Sequence, residues 1–239
     1  RPPRPLVRHA GVLAISGHHS VLVPDSVLPP LSSNGGSFSV SFWVRLLDIP
    51  TGSFRAFFYK GNGKDPARTP SAWLLPTSNR LALRATTTDT PDLGTDSTLS
   101  IPHDQWTHVC IVFDNRTRTP DGGGYTIVVY LNGKLDISLG YSAEVVPNNS
   151  TLQFFKDVSF DGPRSFVADL IVWDNALSAE QVNNIASRSV SSSYERWSQP
   201  VDLAMELMSG LDTVQSGRSG TPDSPSADST PEDESRSNE

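Results

Sequence analysis

The chain of 239 residues has little cysteine and no long hydrophobic run. Cys110 is the single cysteine, which excludes a disulfide framework and a zinc site built from several thiolates. No apolar run reaches the length of about eighteen residues that a membrane-spanning helix needs, so we predict no membrane span. The fold must therefore be stabilised by packing, and a hydrophobic content of 36% allows a sizeable core.

Excess positive charge is also missing. The net charge is -7, and residues 201–239 contain nine acidic residues but only two arginines. The first 200 residues contain 17 acidic and 17 basic side chains, so this part is neutral. A neutral body followed by an acidic segment offers no basic surface to phosphates, and we expect no nucleic-acid binding.

The composition predicts two parts, a folded domain over residues 8–200 and a disordered tail over residues 201–239. From about Ser209 the tail consists mainly of Ser, Thr, Pro, Gly, Asp and Glu, which cannot bury enough apolar surface to fold. Three hydroxyl residues directly precede a proline in the tail and are candidates for phosphorylation, namely Thr221, Ser224 and Thr230. The alternative is a solvated linker without a regulatory role.

Short runs rich in β-branched and aromatic residues dominate the body and predict an all-β fold. Residues 38–44 alternate apolar and small polar side chains, so the even-numbered ones are expected to face a partner sheet. Asn132-Gly133 predicts a tight hairpin turn. Ser178, with Gln181 three residues later, predicts a capping box at the start of one short helix.

Several motifs follow one another as they do in a known family. Residues 11–24 resemble the opening hairpin of laminin-G-like jelly rolls, and residues 38–44 resemble the first long strand. Residues 105–114 and 130–134 are similar to the "W-x-H-V" strand and the "Y-x-N-G" hairpin of that family, and residues 166–178 to its final strand and helical turn. The resemblance implies a two-sheet antiparallel jelly-roll sandwich of the concanavalin A-like, or pentraxin-like, type.

The same architecture serves lectins, glycoside hydrolases and protein-binding modules, so the site has to be considered separately. The hydrolase relatives carry a Glu-x-Asp-x-(x)-Glu strand, and this sequence has none; a Gly-x-Ser-x-Gly nucleophile motif is missing as well. We therefore expect no enzymatic activity.

Calcium is the cofactor that the resemblance leaves open, because lectin-like relatives hold it at one edge of the sandwich. Two loops carry suitable oxygen ligands, and the candidates are Asn62, Asp65, Asp157 and Asp161. Lys60, Lys64 and Lys156 lie among them and oppose a cation. The alternative is that these are ordinary polar turn residues and that no cofactor binds.

The tryptophans of predicted strands are assigned to the structural core, namely Trp43, Trp106 and Trp173. Trp73 follows a loop rich in Gly and Pro, and it either packs under that loop or offers a ligand a stacking surface. His108 and Cys110 fall in one predicted strand and are expected to be buried.

These patterns favour a non-catalytic protein-interaction or scaffolding module of a larger multidomain protein, with a protein or another domain of the same chain as its partner. An extracellular, calcium-dependent carbohydrate-binding domain is the alternative. The lone cysteine and the Ser/Thr-Pro tail favour an intracellular, cytoplasmic location, although Asn148-Asn149-Ser150-Thr151 contains glycosylation sequons that would matter in a secreted chain.

Overall fold

The computed structural model describes residues 3–17, 19–29, 36–63, 68–114, 125–141, 143 and 145–187. These residues form twelve strands, one α-helix and a single 3-10 turn over Asp25–Val27. Asp65, the segment 201–239 and its three phosphorylation candidates lie outside the described residues. No helix within the described ranges is long and apolar enough to cross a membrane.

Two six-stranded antiparallel sheets stack as a jelly-roll sandwich. The strands are β1 (Pro5–Ile15), β2 (Val21–Val23), β3 (Phe38–Leu46), β4 (Arg55–Gly61), β5 (Arg68–Leu74), β6 (Arg80–Ala85), β7 (Leu93–Ser100), β8 (Thr107–Asp114), β9 (Tyr125–Leu131), β10 (Lys134–Tyr141), β11 (Leu152–Phe154) and β12 (Ser165–Trp173). The first sheet has the order β1-β12-β3-β8-β9-β10 and the second the order β2-β11-β4-β5-β6-β7. The predicted fold class is confirmed.

The core between the sheets follows from the alternation along β3. Its even-numbered side chains from Phe38 to Leu46 are fully buried, as the sequence predicts. Phe42 lies at the centre, with its ring edge-on to Phe57 at 5.5 Å and to Phe155 at 6.0 Å between centroids. Edge-on contacts between buried aromatic rings stabilise the core beyond the contribution of the buried apolar area.

The hairpin and the helix also form as predicted. Asn132 and Gly133 both have positive φ, 51° and 77°, and join β9 to β10. Helix α1 (Ala179–Ala186) begins with a complete capping box between Ser178 and Gln181. Val182 is fully buried and packs α1 on the outer face of the first sheet, against a cluster that includes the buried Cys110.

The prediction that three tryptophans belong to the core is corrected. Trp43, Trp106 and Trp173 are only partly buried and project from the first sheet away from the second. Trp43 has an odd number on β3, so the alternation that buries Phe42 places Trp43 on the outer face. The other two pack in small outer clusters; Trp173 Nε1 also donates a hydrogen bond to Ser41 Oγ at 2.9 Å.

His108 lies on the same outer face beneath Trp43, with 5.3 Å between the ring centroids. It is 1% exposed, and its Nδ1 has no hydrogen-bond partner in the described part of the chain. Burial lowers the pKa of His108 to about 4 from its usual 6.5. The folded domain therefore holds the neutral ring at pH values where the unfolded chain takes up a proton.

We expect the stability of the domain to fall as the pH drops through this window. The His108 contribution is complete above pH 6.5 and is lost as the pH approaches 4, because only the unfolded chain binds the proton there. Between pH 7 and pH 5 the loss should be about 2 kcal/mol. Urea unfolding of the wild type and of His108→Gln at both pH values measures it, and an equal pH dependence in the two proteins would contradict the assignment.

Asp136 of β10 closes one flank of the sandwich. Its carboxylate accepts hydrogen bonds from the backbone N–H groups of Thr98 and Leu99 on β7, each at 3.0 Å, and from the Thr98 hydroxyl. A residue of β10, the edge strand of the first sheet, thus accepts hydrogen bonds from β7, the edge strand of the second sheet. On the opposite flank, β1 pairs with β12 alone among the described strands, and Pro5 lies opposite Trp173.

Replacing Asp136 by alanine should release β7 from β10. We expect a loss of about 1–2 kcal/mol in unfolding free energy, because three donors lose an acceptor but become accessible to water. Hydrogen exchange at the Thr98 and Leu99 amides should become about tenfold faster. Asp89→Ala, which changes an exposed carboxylate on a turn, serves as the control. Unchanged exchange at both amides in Asp136→Ala would disprove the role of this contact.

Candidate functional site

Four aromatic side chains form a continuous row on the outer face of the second sheet. Tyr59 and Trp73 project outward from β4 and β5, while Phe54 and Phe160 extend the row beyond the strands. The centroid distances along the row are 5.6 Å from Phe160 to Phe54, 6.4 Å from Phe54 to Trp73 and 6.3 Å from Trp73 to Tyr59. We call these four residues the aromatic row.

Asp157 fixes the loop of residues 156–162 over the aromatic row. Its Oδ1 accepts hydrogen bonds from the backbone N–H groups of Ser159 and Phe160, each at 2.6 Å. Its Oδ2 accepts one from Trp73 Nε1. Asp157 is buried, with 6% of its surface exposed. Trp73 is equally buried, so it packs under this loop and presents no open stacking surface.

The two ends of this loop have restricted backbone conformations. Phe155 has φ of 60°, which is unusual for a bulky residue, and its N–H donates to Phe57 O at 2.8 Å. A Cβ at Gly162 would lie 2.3 Å from Phe155 O, so only glycine fits there. Strain of this kind persists where the surrounding contacts enforce it, and it is common at binding sites.

Two adjoining cavities open at the aromatic row. The larger, of about 390 Å³, is the Asp161 cavity; the smaller, of about 210 Å³, is the Tyr59 cavity. Ser159 and Phe160 line both. The Asp161 cavity is otherwise lined by Asp48, Thr51, Ser53, Phe54, Arg55, Asp161 and Gly162. Its size falls within the range of pockets that hold small ligands or single side chains.

The charges around the Asp161 cavity are partly neutralised within the chain. Arg55 Nη1 lies 2.9 Å from Asp48 Oδ1, and Arg55 Nη2 donates to Asn79 Oδ1 at 2.9 Å. Asp161 pairs with Lys156 at 3.6 Å, and both side chains are well exposed, at 48% and 38%. The Asp48–Arg55 pair therefore helps to hold the cavity wall in place, whereas the Asp161 side chain is about half exposed to solvent.

The structure places the described part of one predicted calcium loop against the other loop, in which Asp157 and Asp161 have other partners. A Cβ at Gly63 would lie 3.2 Å from Val158, so the loop that contains the exposed Asn62 meets the 156–162 loop. Asp157 already accepts three hydrogen bonds, and Asp161 faces Lys156. Across the described ranges, no group of three or more His, Cys, Asp or Glu residues is placed to hold a metal ion.

The sequence comparison agrees with the fold. A laminin G family model, described as the concanavalin A-like lectin/glucanases superfamily, matches residues 16–183. This chain therefore belongs to that superfamily. No curated protein matches the sequence significantly.

Solved structures of the same fold include several binding domains. The binding domain of Paraclostridial Mosquitocidal Protein 1 is 18% identical with a TM-score of 0.51, over 73% of this chain and 42% of that one. Domain 4 of AbnA, an extracellular GH43 arabinanase from Geobacillus stearothermophilus in complex with arabinotriose, is 21% identical with a TM-score of 0.50, over 73% and 75%.

The binding domain of botulinum neurotoxin DC in complex with rat synaptotagmin II is 15% identical with a TM-score of 0.52. The alignment covers 77% of this chain and 46% of that domain, so this chain spans less than half of either toxin domain. At these identities the likeness concerns the fold alone. The fold resembles that of binding domains.

Proposed function

We propose that this chain is a non-catalytic protein-interaction module that contacts its partner through the two cavities and the loops around them. The observation that carries the proposal is the exposure of large aliphatic side chains on both sides of the cavities. Ile49, in the loop before β4, is 68% exposed, and Val158, in the loop over the aromatic row, is 63% exposed. Exposed apolar groups beside half-buried rings are typical of protein-binding surfaces.

The carboxylates near the cavities support a binding role over a catalytic one. A hydrolytic pair needs two carboxyl groups that are free to exchange protons with a substrate. Asp157 accepts three N–H groups, and Asp48 accepts Arg55 Nη1 and the Arg164 N–H at 3.0 Å. Both are engaged in holding the loops in place.

Carbohydrate binding is the second candidate, and the lining of the Asp161 cavity favours it. The hydroxyls of Thr51, Ser53 and Ser159 lie there with the Phe54 and Phe160 rings, and saccharides bind through such polar groups and ring faces. The solved AbnA domain was obtained with arabinotriose. This candidate does not depend on calcium, because the engaged carboxylates leave few oxygens for an ion.

The two candidates can be separated with charged substitutions at exposed positions. A photo-reactive amino acid at position 160 should crosslink the chain to a partner protein in an extract of cells that express the chain. Val158→Asp and Ile49→Asp should each prevent this crosslink but leave the melting temperature unchanged. Leu135→Asp, at a 59% exposed position on β10 in the other sheet, should crosslink as the wild type does. Saccharide binding on a glycan array that survives both loop substitutions, with no protein crosslink, would favour the carbohydrate candidate.

A further inference from the structure

Two N-glycosylation sequons overlap in the loop that leads into β11. Asn148 has Ser150 two residues later and Asn149 has Thr151, so each asparagine has the hydroxyl residue that the sequon requires. A third sequon begins at Asn115, which lies outside the described residues. The structure distinguishes the two overlapping sequons, because it gives the side chains of their asparagines different surroundings.

Lys60 holds the side chain of Asn148 against the end of β4. Asn148 Nδ2 donates a hydrogen bond to Lys60 O at 3.1 Å, and Asn148 Oδ1 accepts one from Lys60 Nζ at 3.2 Å. The Lys60 side chain is only 4% exposed, and its ammonium also binds the Asn148 carbonyl and lies 2.7 Å from Asp25 Oδ1. A glycan on Asn148 Nδ2 would push this amide out of its place, and the buried ammonium would lose an acceptor.

Asn149 lies at the corner of a turn that these contacts hold in place. The backbone N–H of Ser150 donates to Asn148 Oδ1 at 3.0 Å, so residues 148–150 form an Asx turn with Asn149 in the middle. Asn149 is exposed, and its side chain has no hydrogen bond or ion pair among the described residues. Thr151 is exposed as well. The acceptor residue and the hydroxyl residue of the second sequon are thus both on the surface.

We propose that Asn149 is an N-glycosylation site of this protein and that Asn148 carries no glycan. The donor is an oligosaccharide joined to a polyprenyl diphosphate, and a transferase of the secretory pathway attaches it to the chain. The bond between C1 of the first sugar and the diphosphate oxygen breaks, and the lipid diphosphate leaves. C1 forms a bond with Asn149 Nδ2, which gives up one proton.

The proposal places the chain in the secretory pathway, in contrast to the cytoplasmic location that the lone cysteine and the tail favour. Cys110 is buried, so the fold protects this thiol in an oxidising compartment. Asn149 lines neither the Asp161 cavity nor the Tyr59 cavity, and the inference is therefore independent of the proposed function.

The first test uses the full chain isolated from the cells that make it. Peptide-N-glycosidase in heavy-oxygen water releases the glycan and converts the asparagine that carried it to a labelled aspartate. We expect peptide mass spectrometry to find the label at position 149 and not at position 148, and the treated chain to migrate faster on a denaturing gel. Absence of the label from position 149, or its presence at position 148, would overturn the proposal.

Two single substitutions separate the overlapping sequons without changing either asparagine. Thr151→Ala removes the sequon of Asn149 and keeps that of Asn148, whereas Ser150→Ala does the opposite. In the full chain expressed in the same cells, with Asn115→Gln as the background, Thr151→Ala should lose the glycan and Ser150→Ala should keep it as the wild type does. A glycan that persists in Thr151→Ala and disappears from Ser150→Ala would assign the site to Asn148 and refute the proposal.

A further variant covers the case in which Thr151→Ala does not fold. Asn149→Gln keeps the polarity of an exposed position and should lose the glycan with no change in the melting temperature of the enzymatically deglycosylated chain. Asn148→Gln, which disturbs the contacts with Lys60, should lower that melting temperature while the glycan stays on Asn149. Loss of the glycan in Asn148→Gln but not in Asn149→Gln would contradict the assignment.

Discussion

Replacing Phe42 by alanine is expected to destabilise the domain by about 3–5 kcal/mol, the usual cost of emptying a buried aromatic site. Phe42 is fully buried and contacts Phe57 and Phe155 across the two sheets. The hydrogen-bonded backbone of both sheets prevents the neighbouring side chains from filling the space that the Phe42 ring leaves. Because a domain of this kind is stable by only about 5–15 kcal/mol, the variant should be partly unfolded at 37 °C.

The neighbouring residue provides the matched control. Trp43→Ala removes a larger side chain from the same strand, but from the partly exposed outer face, and it should cost about 1–2 kcal/mol. Urea unfolding of both variants, followed by circular dichroism, gives the two free energies. A larger loss for Trp43→Ala than for Phe42→Ala would mean that the two faces of β3 are assigned the wrong way round.

Asp157→Ala is expected to have the second large effect, a loss of about 3–5 kcal/mol. The substitution leaves three N–H groups without their acceptor, and one of them, Trp73 Nε1, belongs to a buried side chain. The loop of residues 156–162 should detach from the aromatic row, which would raise the fluorescence response of Trp73 to added quencher.

Asp157→Asn separates this account from the calcium hypothesis. The asparagine oxygen can keep part of the hydrogen bonds, so the loss should be smaller than for alanine, and added calcium should change the melting temperature of neither variant nor wild type. A calcium-dependent rise in the wild-type melting temperature that Asp157→Asn abolishes would show that the carboxylate binds the ion.

Local signals in the sequence predicted most of the sandwich. The alternation of residues 38–44, the Asn132-Gly133 turn and the Ser178/Gln181 capping box each depend on a few neighbouring residues, and each appears in the structure. The sequence pattern does not predict the beginning of β1 at Pro5, and it predicts β10 only as the second strand of the hairpin, without its extent. Both are edge strands with many polar or small residues, and their pairing with β12 and β9 creates them.

The candidate site was less accessible to sequence reasoning. The sequence offers Asp157 and Asp161 as candidate metal ligands, but nothing local indicates that Trp73, more than eighty positions away, donates to Asp157. No sequence pattern assigns Phe54 or Phe160 to a site. An aromatic residue between Ser159 and Asp161 in a polar loop was the available signal. Its meaning depends on the distant strands that complete the aromatic row.

The pairing of β1 with β12 has a mechanical consequence. The backbone N–H of Asp174 donates to Arg4 O at 3.0 Å, so the beginning of β1 and the end of β12 lie side by side. A force applied through both ends, once α1 is pulled away, acts on the ladder at the Pro5–Trp173 pair and breaks its hydrogen bonds one after another. Strands peeled in this way resist far less force than strands sheared along their length. We expect the domain to yield under a small load when tension passes through it.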